Sequence, residues 1–251
     1  MGFFNRLFAG KEEGSTPFDL ALLGADMHSH LIPGIDDGSR SMDETIAMLA
    51  KFESLGYKKV ITTPHVMSDY YRNTPEIIHA GLEQVRSTAK QLNLSIEIDA
   101  AAEYYFDEAL LDRLKRKEPL LTFGDNYVLF EFSFHAEPNH VDQLIFEMLT
   151  QGYRPVLAHV ERYTHLFGKA KQAIEWRERG VLLQLNLNSL TGHYGPDVQK
   201  QAKYFVDEGA IDFAGTDCHR MDHLLLLENN LGKPYFHKLT NLPLRNRSLL
   251  D

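Results

Sequence analysis

The sequence predicts an α/β fold in which seven parallel strands, alternating with helices, close into a barrel. The main observation is that short apolar or β-branched runs alternate with amphipathic stretches, a pattern typical of repeated strand–helix units. The length agrees, because 251 residues exceed the roughly 150 of an average domain but suit one α/β barrel. A doubly wound sheet is the alternative fold, although the sequence contains no G-x-G-x-x-G or Walker A loop to support a nucleotide site.

Seven runs are predicted to be strands: residues 21–27, 59–63, 94–101, 127–132, 155–158, 181–187 and 211–214. Helices are predicted between them. One helix covers residues 42–55 and opens with Ser41 and Glu44 in a capping-box pattern. Another begins at Pro75, a favoured first-turn residue. Residues 21–251 are therefore interpreted as a single barrel domain.

Residues 1–20 are interpreted as an N-terminal leader. Phe3, Phe4, Leu7 and Phe8 cluster at helical spacing, but the segment lacks the apolar core of a secretory signal. Two interpretations stay open. The leader is either a frayed, disordered terminus or a short amphipathic segment that contacts a partner or, weakly, a membrane surface.

Charge and cysteine content exclude several classes of function. The chain has 26 Lys and Arg against 35 Asp and Glu, a net charge of −9, so no basic excess is available to bind a nucleic-acid backbone. The one cysteine, Cys218, cannot form an internal disulfide and suits a reducing compartment. No apolar run approaches the ~20 residues of a transmembrane helix. We therefore expect a cytoplasmic protein without a transmembrane segment.

Histidine, aspartate and glutamate residues follow the predicted strands at the end where the strands of a parallel barrel converge on the active site. Nine of them are candidate metal ligands: His28, His30, Asp37, His65, Glu103, Glu131, His159, Asp217 and His219. Each one alone is more often an ordinary hydrogen-bonded polar residue. Together they would bury several carboxylates in one place unless cations lie among them. Imidazole and oxygen donors without thiolate suit Mn, Fe, Zn or Mg.

The charge of this cluster favours a phosphate substrate. Its four carboxylates carry a charge of −4, so three divalent ions leave a surplus of two positive charges before Arg162 is added. A phosphate group carries about −2 at neutral pH, and the planar fork of Arg162 can hold two of its oxygens. The alternative role for Arg162 is a structural ion pair with Glu161 or another carboxylate.

Six sequence blocks resemble the polymerase and histidinol phosphatase (PHP) superfamily, most closely its bacterial protein-tyrosine-phosphatase branch of capsule and exopolysaccharide systems. The blocks are D-M-H-S-H-L-I-P-G-I-D-D-G-S at 26–39, T-P-H at 63–65, A-E-Y-Y at 102–105, E-F-S at 131–133, A-H-V-E-R-Y at 158–163 and T-D-C-H at 216–219. They follow the family's order and span about residues 25–225. The resemblance implies a distorted seven-stranded β/α (TIM-like) barrel, the PHP fold.

The same resemblance implies three divalent metal ions, usually Mn²⁺, with Fe, Zn and Mg as other candidates. Carried over position by position, the first ion is held by His28, His30, Glu103 and Asp217, the second by Glu103, Glu131 and His159, and the third by Asp37, His65 and His219. Arg162 matches the arginine that contacts phosphate in that family.

The implied activity is that of a metal-dependent protein-tyrosine phosphatase, a hydrolase. A metal-bridging hydroxide would attack phosphorus in line with the leaving oxygen. The implied substrate is phosphotyrosine in a protein, such as the tail of a bacterial tyrosine kinase that controls capsule or exopolysaccharide synthesis. Cys218 is not expected to be the nucleophile, because a cysteine-dependent phosphatase needs an arginine six positions later, where this chain has Leu224.

Other functions stay open at this point. A small-molecule phosphomonoesterase of the histidinol-phosphatase type and a PHP nuclease are the enzymatic alternatives, although a net charge of −9 disfavours long DNA. The non-enzymatic alternative is a regulatory module that keeps its metals for stability. Residues 66–71 lack a strong basic cluster, so the family's mode of substrate recognition there does not carry over. The sequence does not indicate an oligomeric state.

Overall fold

Nine short parallel strands form the framework of the computed structural model, which describes residues 16–251. They are β1 (Ala25–Asp26), β2 (Lys59–Thr62), β3 (His65–Val66), β4 (Glu97–Ala100), β5 (Glu103–Tyr105), β6 (Tyr127–Glu131), β7 (Arg154–Leu157), β8 (Leu182–Asn186) and β9 (Phe213–Gly215). One sheet has the order β1-β2-β4, and the other has the order β3-β5-β6-β7-β8-β9. Every pairing between these strands is parallel. The predicted α/β class with a parallel sheet is confirmed.

The strand count differs from the prediction because two predicted strands are each followed, two residues later, by a second short strand. β2 ends at Thr62 and β3 begins at His65. Between them lies Pro64, which has no N–H group to donate to a neighbouring strand. β4 and β5 are separated in the same way by Ala101 and Ala102. These interruptions divide the framework into two sheets.

The first strand was predicted to begin at residue 21, but β1 begins at Ala25. Leu20–Leu22 form a 3-10 turn instead, because the side chain of Asp19 accepts a hydrogen bond from the N–H of Ala21 (2.9 Å). Residues 1–15 of the predicted leader lie outside the described residues. Within the described part of the leader, Phe18 and Leu20 are buried in the core. The predicted boundary between leader and barrel domain after residue 20 stays a prediction.

The framework curls so that its first and last strands approach each other. Beyond the end of β1, Ser29 forms a parallel bridge with Cys218, which lies beyond the end of β9. The N–H of His30 donates to the carbonyl of Cys218 (2.9 Å), and the N–H of Asp217 donates to the carbonyl of His28 (2.8 Å). The sheet is therefore a curled parallel sheet rather than an open, flat one.

Eight α-helices surround the strands. They are α1 (Met42–Ser54), α2 (Pro75–Gln91), α3 (Glu108–Lys115), α4 (Val141–Thr150), α5 (Lys171–Glu178), α6 (Pro196–Asp207), α7 (Met221–Glu228) and α8 (Pro234–Lys238) among the described residues. The predicted start of α1 is confirmed, because the Ser41 hydroxyl accepts from the N–H of Glu44. Pro75 opens α2 as predicted. Over residues 16–251, none of the helices combines the length and apolarity needed to cross a membrane.

Both faces of the sheet are buried, as expected for parallel strands covered by helices. Along β6, Tyr127 and Leu129 pack into a cluster enclosed by the curled sheet. Their neighbours Val128 and Phe130 point the other way, into the larger core beneath the helices. At the amino-terminal end of the strands, the side chain of Asn246 donates to the carbonyl of Ala25 and so attaches the C-terminal segment to β1.

Candidate metal centre

All nine predicted ligands lie together at the carboxyl end of the strands. Each belongs to at least one of four groups whose donor atoms lie within 4.8 Å of one another. The groups are His30, Asp37, His65 and His219; His28, His30 and Glu103; His28, His159 and Asp217; and His65, Glu103 and Glu131. Within residues 16–251 these groups contain no residue that was not predicted. The nine donor residues span positions 28–219 of the sequence, and the curl of the sheet brings their donor atoms together.

Glu103 occupies the middle of the cluster and is fully buried. Its Oε2 atom lies 3.2 Å from His28 Nε2, 3.4 Å from His30 Nε2 and 3.1 Å from His65 Nδ1. Its Oε1 atom lies 3.1 Å from His159 Nε2. Although Oε2 is surrounded by ring nitrogens, it has no hydrogen bond of acceptable geometry. Buried polar atoms normally have a hydrogen-bond partner. A carboxylate oxygen and ring nitrogens that face one another without forming hydrogen bonds fit a cation placed between them.

The other three carboxylates lie around Glu103. Asp217 Oδ1 is 3.4 Å from His28 Nε2, and Glu131 Oε2 is 3.6 Å from His159 Nε2. Asp37 is the most exposed of the nine, and its Oδ1 lies 3.4 Å from His219 Nε2 and 3.5 Å from His65 Nε2. The set offers oxygen and imidazole donors without thiolate, so these residues fit hard or borderline divalent ions.

The charges of the cluster are strongly coupled. Burial alone would raise the pKa of Glu103, but the imidazoles of His28 and His65 hold this pKa well below its usual range. Burial likewise opposes protonation of His28, but Glu103 and Asp217 outweigh it and raise its pKa to about 9. The hydrogen bond from His219 lowers the pKa of Asp37 to about 2. A bound cation would take the place of the imidazole protons, because metal-ligating histidine is neutral.

Two of the predicted ligands have left-handed backbone conformations, which are unusual for residues other than glycine. His159 follows β7 with φ 32°, and Asp217 follows β9 with φ 49°. The N–H of His159 donates to Gln184 Oε1 (2.8 Å), which holds this turn in place. Strained backbone of this kind is concentrated at functional sites, where the surrounding structure maintains it.

Side chains outside the predicted set orient the imidazoles. Asp36 Oδ2 lies 2.8 Å from His30 Nδ1 and also accepts from the N–H of His65. Gln184 Oε1 lies 3.0 Å from His28 Nδ1. In both histidines Nδ1 is therefore the donor, and Nε2 faces the centre. The D-D pair at 36–37 was a visible signal for Asp36, whereas Gln184 lies inside a predicted strand with no feature that distinguishes it.

Arg162 is at the edge of the cluster. Its Nη1 atom donates to Asp217 Oδ2 (2.8 Å), and the guanidinium lies 4.4 Å from the ring centre of Phe134 and 4.3 Å from that of Tyr194. Its carboxylate partner is thus Asp217 and not Glu161. The two aromatic faces hold the guanidinium in one plane, which prepares it for two-point binding of an oxyanion.

Glu161 does not pair with Arg162 and accepts hydrogen bonds from neighbouring segments. It is fully buried, and its Oε1 accepts from the Ser189 hydroxyl (2.6 Å) and from the N–H of Asn186 (3.1 Å). Burial raises the pKa of Glu161 to about 7. These bonds join the turn that carries Arg162 to the end of β8 and the segment that follows it.

Cys218 does not resemble a nucleophile. The residue is fully buried, and its Sγ contacts Met48 Sδ (3.7 Å) and the carbonyl of Arg220 (3.5 Å). Burial raises the pKa of the Cys218 thiol well above its usual value, whereas a reactive cysteine needs a lowered pKa and access to solvent. Its side chain thus packs behind Asp217 and His219, the two predicted ligands that flank it.

The sequence matches the family model for capsular polysaccharide synthesis, CpsB/CapC, over residues 24–225. The tyrosine-protein phosphatase CpsB of Streptococcus pneumoniae is 29% identical over 202 residues, which cover 78% of this chain and 83% of that protein. The tyrosine-protein phosphatase YwqE of Bacillus subtilis (strain 168) is 27% identical over 237 residues, with coverage of 89% and 92%.

Solved structures give the same result. A chain from the crystal structures of YwqE from Bacillus subtilis and CpsB from Streptococcus pneumoniae, described as unique metal-dependent tyrosine phosphatases, matches with a TM-score of 0.77. Its sequence identity is 25%, and the match covers 90% of this chain and 94% of the other. An amidohydrolase from Mycoplasma synoviae matches with a TM-score of 0.55 at 12% identity, which indicates a shared fold only.

Proposed function

The chain belongs to the capsular polysaccharide synthesis CpsB/CapC family, and we propose that it is a metal-dependent phosphatase that hydrolyses phosphotyrosine in proteins. The observation that carries this proposal is the convergence of nine His, Asp and Glu donors around the buried Glu103, with Arg162 at their edge. The names of the relatives, tyrosine-protein phosphatases from two bacterial genera, support the substrate class.

We propose three divalent ions, most readily Mn²⁺, with the ligands divided as the family resemblance implies. The group of His30, Asp37, His65 and His219 supports the third ion, and the group of His28, His30 and Glu103 supports the first. For the second ion, the contacts of His159 with Glu103 and Glu131 offer three donors. The same donor set accepts Fe, Zn or Mg, so metal availability decides which ion is bound.

A closed, distorted seven-stranded barrel is the architecture we propose for this site. β2 with β3, and β4 with β5, each count as one interrupted strand. The bridge between Ser29 and Cys218 then joins the first strand to the seventh. Closure of this kind gives one rim to which all nine donors belong.

When bound, the ions supply a water of lowered pKa and neutralise charge on the phosphate. The residues of the chain position the substrate. Arg162 binds two non-bridging phosphate oxygens with its planar fork, while Phe134 and Tyr194 keep its guanidinium from turning away. Asp217 orients the same guanidinium through Nη1. A tyrosine leaving group has a pKa of ~10, so its departure requires less help from a general acid than that of an alkoxide.

The proposed partner is a phosphotyrosine-containing protein, such as the tail of a bacterial tyrosine kinase, and the proposed location is the cytoplasm. Capsular polysaccharide synthesis in the family description supports a partner that belongs to a capsule system. With a net charge of −9, the protein as a whole repels an acidic phosphorylated segment. Attraction must therefore come from local positive charge.

The test is phosphate release from a phosphotyrosine peptide by chelator-stripped protein, before and after Mn²⁺ is added. We expect activity only with Mn²⁺. Arg162→Ala should lower kcat/KM about 100-fold, since it removes a charged donor from the transition state. Arg162→Lys should recover only part of this loss, because it restores charge without the planar fork.

Two variants control for the fold and for the chemistry. Arg179→Ala removes an arginine whose exposed ion pair with Asp142 lies outside the site, and it should keep full activity. Cys218→Ser should also keep most activity. Loss of activity in Cys218→Ser with an unchanged fold would contradict metal-dependent hydrolysis. Failure of metal-loaded protein to release phosphate from the peptide, together with turnover of histidinol phosphate, would transfer the assignment to small phosphate esters.

A further inference from the structure

A pocket separate from the cluster of predicted ligands lies between residues 167–171, which follow β7, and the first turns of α6. Its volume is about 430 Å³. Three lysines line it, Lys169, Lys171 and Lys200, together with Phe167, Gln201 and Tyr204. Asp197 is the one acidic residue in the lining, so the local charge is positive in a chain whose net charge is −9. We call this site the lysine pocket.

The ammonium groups of these three lysines are not neutralised by nearby carboxylates within residues 16–251. None of the three forms an ion pair with any residue of the described range 16–251, whereas Lys51, Lys59 and Lys238 each pair with a carboxylate. All three side chains of the pocket are exposed. Like charges brought together without partners cost free energy, and an anion bound among them would relieve this repulsion.

The lysine pocket is adjacent to the segment that carries Arg162. The side chain of Gln201, in the pocket wall, donates to the backbone carbonyls of Glu161 (3.3 Å) and Tyr163 (3.5 Å), the two neighbours of Arg162. Lys171 begins α5, and Lys200 is in the second turn of α6. Helices that follow parallel strands begin at the carboxyl end of the sheet. The pocket and the metal centre thus share one rim, and helix N-termini add to the attraction for anions.

We propose that the lysine pocket binds an acidic segment of the phosphorylated protein substrate while a phosphotyrosine occupies the metal centre; this rests on the proposed function. Three cations and two aromatic rings, Phe167 and Tyr204, suit carboxylate or phosphate groups on a peptide that also has apolar side chains. A nucleic acid is disfavoured, because three lysines on a chain of charge −9 do not form the basic stripe that a long polyanion requires.

The test compares two phosphotyrosine peptides of equal length, one with glutamates on both sides of the phosphotyrosine and one with glutamines at those positions. The variant is Lys169→Gln, Lys171→Gln and Lys200→Gln combined. Its matched control is Lys58→Gln, Lys90→Gln and Lys117→Gln, which removes the same charge from exposed lysines elsewhere that form no ion pair with residues 16–251. Metal-loaded protein is used, with p-nitrophenyl phosphate as the small substrate.

For the wild-type protein and the control variant, we expect KM to be about fivefold lower for the glutamate peptide, since exposed charge pairs each contribute modestly. In the pocket variant this preference should disappear, while kcat and the rate on p-nitrophenyl phosphate stay the same. Rising salt should reduce the preference in the wild-type protein and in the control variant, because both keep the lysine pocket. Equal KM changes in both triple variants, or an undiminished preference in the pocket variant, would overturn the proposal.

A binding measurement separates this proposal from the proposed function. A fluorescent glutamate peptide without phosphate is titrated with each protein, so no turnover is needed. Weaker binding to the pocket variant than to the control supports the lysine pocket even if no phosphatase activity is found. Tighter lysine-dependent binding of inorganic phosphate or an oligonucleotide than of the peptide overturns the assignment to an acidic protein segment.

Discussion

Single side chains behind the ligands decide how well the centre is organised. Asp36 and Gln184 bind the Nδ1 atoms of His30 and His28, so both imidazoles present Nε2 to the same point. A histidine without such a partner can rotate or change tautomer, which weakens its bond to a metal. Asp36 also fixes the strand that carries His65, because it accepts a hydrogen bond from the backbone N–H of that residue.

Asp36→Asn is expected to weaken metal binding about 10- to 100-fold. The amide keeps the size of the side chain but loses the negative charge that holds His30. The measurement is calorimetric titration of chelator-stripped protein with Mn²⁺. Asp43→Asn makes the same chemical change on the exposed start of α1 and should leave the affinity unaltered. An Asp36→Asn variant with wild-type affinity would show that His30 does not depend on this carboxylate.

At this scale the sequence predicts residue types but not their contacts. The nine donors were recognisable because they follow strands and include two H-x-H or D-x-H pairs. Gln184 was not, since a glutamine inside a buried strand has the same pattern whether it packs, pairs or orients a ligand. The function of Gln184 depends on β8 lying beside β7. In that position its side-chain Oε1 reaches both the His28 ring and the N–H of His159.

Between elements, Glu161 has the role of a buried connector. It is in the turn after β7, and it binds the N–H of Asn186 at the end of β8 and the hydroxyl of Ser189 just beyond. Both of its partners are uncharged groups, so the connection consists of hydrogen bonds. The turn that carries Arg162 is therefore positioned by the next strand in the sheet.

Glu161→Ala should lower the free energy of unfolding by about 1–3 kcal/mol, because it leaves a buried hydroxyl and a buried N–H without an acceptor. Glu161→Gln keeps one acceptor oxygen and should cost less than the alanine variant. Urea unfolding of the metal-free proteins measures both. If Gln and Ala destabilise equally, the hydrogen bonds of Oε1 are not what holds the turn.

The elements themselves were predictable to different degrees. Helix starts at Ser41 and Pro75 depend on local chemistry, so the sequence alone locates them. The limits of the strands depend on which neighbour each residue reaches. β3 and β5 are therefore absent from the prediction, although each carries one of the predicted ligands. The residues before β1 were apolar enough to suggest a strand, but the side chain of Asp19 caps a 3-10 turn there.

Over the whole molecule, the centre concentrates negative charge in a protein that is already acidic. Four carboxylates lie among five imidazoles, and the net charge of the chain is −9. Cations that bind only the folded protein stabilise it by mass action. Stability and metal content are therefore linked through residues that are distributed along most of the chain.

Mn²⁺ at about 100 times its Kd should stabilise the folded protein by about 2.7 kcal/mol for each independent site, which for a chain of this size raises Tm by about 5–10 °C. Differential scanning calorimetry with and without chelator measures this shift. Glu103→Gln should reduce it, because Glu103 contributes to two donor groups, and Arg179→Ala should not. An identical Tm in both conditions would exclude a metal centre of this affinity.

The bridge between Ser29 and Cys218 has a consequence for synthesis of the protein. The donors His28 and His30 leave the ribosome almost two hundred residues before Asp217 and His219. A nascent or prematurely terminated chain that stops before β9 lacks both late donors and the partner strand of Ser29. Such fragments have no complete site, so the donor cluster can assemble only after the chain has been made through His219.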